Sequence, residues 1–256
     1  MGRYGQQRRE GPVLAITVAA ATWGAVSGWC TLAALHRLAV PAGTEWRTTC
    51  PEGHQLPAGA RGWVAAYCTA GAHQYPAGAR AVATPAAVML GSVAMAIATG
   101  PRPELLVWLL LIPIGVLLAL VDYRVHRLPD VLTLPLAGSA LVLLGLASLL
   151  PGAAGSWTGS LLGASALGVL FLIMFLASPR AMGFGDVKLA LALGAVLGWH
   201  GWRVLLLGVL AGYLIAAAQG VLLIARRKGT VRTAIPFGPP LLMGALIGVA
   251  ASGLLG

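Results

Sequence analysis

Residues 104–122 read ELLVWLLLIPIGVLLALVD, an apolar stretch of membrane-crossing length that ends in an aspartate. A second aspartate, Asp186, stands in GFGDVK at residues 183–188, where another apolar stretch begins. Asp122, Asp130 and Asp186 are the only aspartates in the chain. A carboxylate beside hydrocarbon is costly unless something useful holds it there, so we expect Asp122 and Asp186 to have a function.

The composition indicates an all-α, polytopic membrane protein. The chain is 58% hydrophobic and only 9% charged, with a mean hydropathy of +0.85. A water-soluble fold of this size does not need so much apolar surface. The net charge of +10 is compatible with nucleic-acid binding, but the cations fall in short connections between apolar spans. Cytoplasmic loops explain that placement better, and we expect no nucleic-acid partner.

Apolar runs predict about eight transmembrane helices and one sizeable cytoplasmic loop at 36–81. Most of these runs are near the ~20 residues that a helix needs to cross hydrocarbon. The run 187–200 is shorter, so the segment 181–185 is expected to dip into the bilayer boundary before it. The expected spans are 12–35, 82–100, 104–121, 133–150, 157–177, 187–200, 203–225 and 235–255.

Asp122 and Asp186 are expected on the same side of the membrane. Two spans, 133–150 and 157–177, separate them, and two passes return the chain to its starting face. Arginines and lysines indicate that this face is cytoplasmic, because they concentrate in the connections 122–132, 178–186 and 226–234. The arginines ahead of the first span disagree, since this count puts the N-terminus outside. Our interpretation follows the more numerous downstream connections.

The two aspartates predict acid–base chemistry. Two carboxylates brought close cannot both ionise comfortably, so they share one proton. The ionised partner can then take a proton from water while the protonated one polarises a scissile carbonyl, without a metal or covalent nucleophile. Gly183 and Gly185 would permit unusual backbone angles and a close approach of substrate. In the alternative interpretation both aspartates are interfacial residues paired with Arg124 and Lys188.

Three segments resemble one known family. Residues 121–136, VDYRVHRLPDVLTLPL, closely resemble the first catalytic segment of type IV prepilin peptidases. Residues 182–189, MGFGDVKL, are similar to the second, GxGD-bearing segment, and 235–239, IPFGP, to a further signature. The resemblance covers residues 82–256 in order and spacing, which identifies that part as a transmembrane peptidase domain.

The resemblance implies a specific activity. Members of the family remove the short basic leader of prepilins and pseudopilins at the cytoplasmic face of the inner membrane. Asp122 and Asp186 match the two catalytic aspartates, and proteolysis requires no cofactor. Asp130 also lies in the family pattern, but its place after Pro129 predicts a helix N-cap. Lys188 is expected either to influence Asp186 or to extend its amine to the interface.

Residues 1–81 form the first helix and the cytoplasmic loop, where longer family members carry two CxxC zinc-binding pairs. This chain has no CxxC. It has Cys50 and His54, then Cys68 and His73, a spacing that can supply four ligands to a tetrahedral zinc. Unligated, reduced residues are the alternative. Because the segment associated with N-methylation is shortened and altered, we do not expect S-adenosylmethionine as a cofactor.

Two other function classes are weighed against the peptidase. A proton-coupled transporter would use Asp122 and Asp186 as titrating carriers, but such groups usually lie near the bilayer midplane. A non-catalytic partner in pilus or secretion assembly would tolerate replacement of both aspartates. The bilayer and a membrane-held prepilin are therefore the partners that the sequence favours.

Overall fold

The computed structural model describes residues 3–75, 78–179, 182–226 and 235–255. Within these ranges the chain forms nine α-helices and one short β-hairpin. The elements are α1 (Arg3–Leu38), α2 (Ala60–Val64), β1 (Tyr67–Cys68), β2 (His73–Gln74), α3 (Ala79–Thr99), α4 (Glu104–Val125), α5 (Asp130–Ser148), α6 (Trp157–Ala177), α7 (Phe184–Trp199), α8 (Trp202–Ala225) and α9 (Gly238–Leu255).

The all-α membrane prediction is confirmed, although the count of eight spans is not. Each of the eight predicted spans coincides with a helix, but only six described helices are long and apolar enough to cross a membrane: α1, α3, α4, α5, α6 and α8. Helix α7 has 16 residues, which at ~1.5 Å each reach about 24 Å. The apolar part of α9, Gly238–Ser252, is also short.

Two helix boundaries differ from the prediction in ways that affect the aspartates. Helix α4 continues to Val125, so Asp122 belongs to its last turn. Helix α7 begins at Phe184 rather than at residue 187, so Asp186 belongs to its first turn. Of the predicted dip at 181–185, residues 184 and 185 are therefore helical and residues 182 and 183 precede the helix. Residue 181 lies outside the described residues, as do 227–234 of the cationic connection.

The contacts divide the chain into two compact units, with the division inside α4 between Leu117 and Leu118. In the first unit, α1 lies along α3 at two glycines. A Cβ at Gly24 would come within 2.6 Å of Met89 Cα, and glycine there permits the close approach of the two backbones. The predicted functional boundary after residue 81 stays a prediction.

The loop after α1 is ordered by contacts with the end of that helix. Buried Arg37 donates hydrogen bonds to Gly62 O at 2.8 Å and to Pro57 O at 2.9 Å. Tyr75 is buried, and a small apolar cluster surrounds it: Leu32, Ala33, Cys50, Leu56, Ala66 and Cys68. The loop is too small to form a hydrophobic core of its own, so its buried side chains pack against the end of α1.

Glycines also determine the packing of the second unit. Helices α6 and α7 each carry a GxxxG pair, Gly159 with Gly163 and Gly194 with Gly198. A Cβ at Gly194 would overlap the carbonyl group of Gly163. Between membrane helices, small residues permit close van der Waals packing where the hydrophobic effect contributes little. This crossing fixes the position of α7, whose first turn carries Asp186.

Candidate active site

Asp122 is buried in the last turn of α4, with 5% of its surface exposed. The helix ends at Val125, and the next residue, His126, has a left-handed φ of 51° and donates its N–H to Asp122 O at 2.8 Å. The Asp122 carboxylate accepts a hydrogen bond at Oδ2 from the Gly238 N–H, at 2.9 Å. A backbone donor from the start of α9 therefore holds the carboxylate in place.

Asp186 is buried in the first turn of α7, with 8% exposed. Its Oδ2 accepts a hydrogen bond from the Gly183 N–H at 3.2 Å, and its own N–H donates to Gly183 O at 3.1 Å. A carboxylate in this position satisfies an unpaired donor at the helix start and lies at the positive end of the helix dipole. The local sequence GFGD thus both begins the helix and orients the acid.

The structure brings Asp122 and Asp186 together within the second unit. The charge of Asp122 acts directly on Asp186, and the charge of Asp186 also reaches Tyr213 on α8. The two intervening helices, α5 and α6, return the chain to the same end of the unit. Backbone N–H groups hold these carboxylates, and Lys188, which the alternative interpretation paired with an aspartate of the site, pairs with Asp130.

Residues 235–238 also line the site, in addition to the end of α4 and the start of α7. Phe237 packs edge-on against Tyr213, with ring centroids 5.2 Å apart, and lies 6.3 Å from the ring of Phe171. The following residue, Gly238, has no room for a side chain, because a Cβ would lie 2.9 Å from Asp122 Oδ2. The sequence identified this segment only as a family signature and did not predict its contacts with Asp122 and Tyr213.

Gly238→Ala is expected to reduce the activity of the Asp122 site about tenfold or more. The added methyl group must displace either the carboxylate or the backbone that donates to it, and small misplacements of catalytic groups are costly. The measurement is the catalytic rate under saturating substrate. Gly138→Ala is the matched control, because no heavy atom lies within 4 Å of a Cβ there. Equal rates for the two variants would contradict the assignment.

The predicted roles of Gly183 and Gly185 require a correction. Gly183 has φ −78° and ψ 148°, which any residue adopts, and Gly185 is helical without a positive φ. Gly185 instead provides space: a Cβ there would lie 2.8 Å from Leu128 Cβ. The glycine lets the connection between α4 and α5 pack onto the first turn of α7. An approach of substrate to either glycine stays a prediction.

Asp130 and Lys188 also differ from expectation. The predicted N-cap role of Asp130 is wrong, since Pro129 is the N-cap and Asp130 is the first residue of α5. Asp130 Oδ1 instead lies 2.6 Å from Lys188 Nζ. The Lys188 ammonium also lies 4.8 Å from the centre of the Phe184 ring. The lysine therefore joins α7 to the start of α5 and does not extend freely to the interface.

The predicted cysteine and histidine ligands lie together in the loop after α1. Pairing of β1 with β2 puts Cys68 directly opposite His73, and the turn 50–54 brings Cys50 beside His54. His54 Nδ1 lies 3.6 Å from Cys50 Sγ and 3.7 Å from Cys68 Sγ. The ligand atoms of Cys50, Cys68 and His73 lie within 4.8 Å of one another.

Local chemistry suits these residues to a cation. Burial raises the pKa of the Cys50 thiol, but hydrogen bonds from Glu52, His54 and Cys68 outweigh burial and lower it to about 7. At the other cysteine, the Gly71 N–H donates a hydrogen bond to Cys68 Sγ at 3.4 Å. Thiolates are the metal-binding form of cysteine. Sequence reasoning missed Glu52, whose Oε2 lies 3.2 Å from His73 Nδ1 and so adds a carboxylate beside the cluster.

Comparison with known proteins bears on the residues that carry the aspartate pair. Residues 109–223 match the model of the type IV leader peptidase family. The predicted resemblance is confirmed. Both Asp122 and Asp186 lie inside the segment that matches this peptidase family, whereas Gly238 and the cysteine–histidine cluster lie outside it. The match does not favour the transporter.

Individual relatives carry a related name. The chain is 37% identical over 137 residues to a prepilin leader peptidase/N-methyltransferase of Pseudomonas aeruginosa, covering 51% of this chain and 44% of that protein. It is 36% identical over 169 residues to one of Aeromonas hydrophila, covering 65% and 56%. The chain thus spans about half the length of the curated relatives it matches. No solved structure matches it.

Proposed function

We propose that this chain is a membrane aspartic endopeptidase that removes the short basic leader from type IV prepilins or pseudopilins. One observation carries the proposal: two buried carboxylates, Asp122 and Asp186, lie close enough to interact within the segment that matches the leader peptidase family. Each acid is held by a backbone N–H group, Asp122 by that of Gly238 and Asp186 by that of Gly183. That condition leaves both acids available for proton transfer.

The proposed mechanism uses one proton shared by the pair. The ionised carboxylate accepts a proton from a water molecule as its oxygen attacks the scissile carbonyl carbon. The protonated partner donates to the carbonyl oxygen, forming a tetrahedral diol. The diol then collapses with cleavage of the C–N bond, and the leaving amine takes up a proton. Because the backbone donors Gly183 and Gly238 both engage Oδ2, they support an arrangement in which the Oδ1 atoms face the water.

The proposed location is the inner membrane with the site toward the cytoplasm. Both aspartates lie at helix ends, Asp122 at the end of α4 and Asp186 at the start of α7. A substrate helix held in the bilayer would therefore present the junction with its leader at the same level. The cationic connections support a cytoplasmic orientation of this end.

Co-expression with a tagged prepilin from the same genome tests the proposed activity. The mass of the pilin N-terminus should show loss of the leader, and no added methyl group of about 14 Da, because we expect no use of S-adenosylmethionine. An uncleaved prepilin beside folded, membrane-inserted enzyme would overturn the proposal. Proton uptake by proteoliposomes without substrate would favour the transporter instead.

We further propose that Cys50, His54, Cys68 and His73 bind a structural zinc. Two ligand atoms on one tetrahedral zinc lie about 3.6 Å apart, given Zn–S and Zn–N bonds of about 2.1–2.3 Å. The distances from His54 Nδ1 to both sulfur atoms, 3.6 and 3.7 Å, are of this size. The ion would join the turn 50–54 to the β-hairpin and staple a loop that has little core of its own.

Purified protein is expected to contain about one zinc ion per chain. The double variant Cys50→Ser with Cys68→Ser should lose it and should lower the unfolding temperature of the loop. Cys30→Ser is the matched control, because Cys30 lies in α1, outside the cluster. Elemental analysis of the detergent-solubilised protein measures the ion directly. Zinc content that is equal in the double variant and the wild type would contradict the site.

A further inference from the structure

We propose that the Lys188–Asp130 ion pair is a positioning device that holds the two catalytic carboxylates at their working separation. The inference rests on the proposed function, because it assigns a role toward the same site. Asp130 Oδ1 and Lys188 Nζ lie 2.6 Å apart, and they join the start of α5 to the first turns of α7. Each partner is close in sequence to one of the acids.

The path from Asp122 to Asp130 is short and contacts α7 at two points. Helix α4 ends at Val125, and only residues 126–129 separate that end from α5. Leu128, which is buried, packs against the space left by Gly185. The ion pair is the second contact. Together the two contacts fasten the connection that follows Asp122 onto the helix turn that carries Asp186.

Lys188 acts through Asp130 rather than on Asp186. Residues two apart on an α-helix project about 200° apart, so Lys188 and Asp186 point to opposite sides of α7. Asp186 already accepts its hydrogen bond from Gly183. The lysine side chain is only 14% exposed, and a cation so poorly hydrated needs an anion nearby. Asp130 supplies that anion, and the Phe184 ring covers the ammonium group.

The geometry also separates this role from direct catalysis by Asp130. The Asp130 side chain is 64% exposed, whereas the two proposed catalytic acids are buried. Its carboxylate is already paired with the Lys188 ammonium group. If Asp130 positions the site through Lys188, the two residues should act as one unit.

A double-mutant cycle tests this coupling. Asp130→Asn and Lys188→Met should each lower kcat for prepilin cleavage about tenfold, with KM changed by less than about twofold, because a misplaced acid pair slows chemistry more than binding. The double variant should be no slower than either single variant, and Lys188→Arg should recover most of the loss. Losses that multiply in the double variant would overturn the inference.

Controls distinguish failure of this inference from failure of the proposed function. Arg203→Met removes an exposed cation at the start of α8, beside the far end of α7, and should not change kcat. If wild-type protein cleaves no prepilin, the proposed function fails. If the wild type cleaves and Asp122→Asn does not, but the double variant shows multiplied losses, only the positioning role fails. Unfolding temperatures of all variants show whether lost rate reflects lost fold.

Discussion

Asp122→Asn and Asp186→Asn are each expected to lower prepilin cleavage by about 1,000-fold or more. An amide keeps the size of the carboxyl group and can still accept the hydrogen bond from Gly238 or Gly183, but it cannot take or give the shared proton. Loss of one acid–base group typically costs 10²–10⁴-fold in rate. The two substitutions remove the same proton exchange, so combining them should add little further loss.

The measurement is the fraction of prepilin processed over time in membranes that contain equal amounts of enzyme. Glu45→Gln is the matched control, since it removes an exposed carboxylate from the loop after α1. This control should process prepilin at the wild-type rate. Retention of a tenth or more of the wild-type rate by either Asn variant would exclude the pair as the acid–base groups.

The sequence predicted those features that depend on local composition. Apolar runs located eight of the nine described helices, because a helix in hydrocarbon must satisfy its own backbone and be apolar throughout, although only six of them are long and apolar enough to cross a membrane. Counting the passes between Asp122 and Asp186 was sufficient to expect them on the same side of the membrane, and the structure brings them together within the second unit. The pairing of cysteine with histidine was also readable, since each pair is separated by a short turn.

Features that depend on distant residues were not readable from the sequence. The hydrogen bond from Gly238 to Asp122 joins positions 116 apart, and no local pattern encodes it. At Asp130 a local preference for helix capping is overridden by a tertiary contact with Lys188. An aspartate after proline at a helix start favours an N-cap, but Pro129 occupies that position, and Lys188 binds the carboxylate. The cost of a partly buried lysine without an anion outweighs that of a missing cap.

The site therefore depends on helix packing at a distance from the acids. Asp186 is placed by α7, and α7 is placed by its close crossing with α6 at Gly163 and Gly194. Glycine is needed at this crossing because it has no side chain, and not because of its backbone freedom, since both residues lie inside helices. A change at Gly194, about two turns from Asp186, should therefore alter both stability and catalysis.

Gly194→Ala is expected to destabilise the fold by about 1–3 kcal/mol, the usual cost of overpacking a tight interior, and Gly194→Val by more. The new Cβ would overlap the carbonyl group of Gly163 and lie 2.8 Å from Ala164 Cα. These are backbone atoms, so no side chain can rotate away, and α7 must shift. Unfolding in detergent micelles, followed by tryptophan fluorescence, measures the loss of stability.

Gly138→Ala is again the matched control, since it makes the same substitution inside α5 with no heavy atom within 4 Å of the new Cβ. Alanine also favours a helix more than glycine does, so this variant should be as stable as the wild type or slightly more stable. At a temperature where both variants stay folded, Gly194→Ala should cleave prepilin more slowly and Gly138→Ala should not. Equal stability of the two variants would contradict the close crossing, and equal cleavage would contradict its control over the position of Asp186.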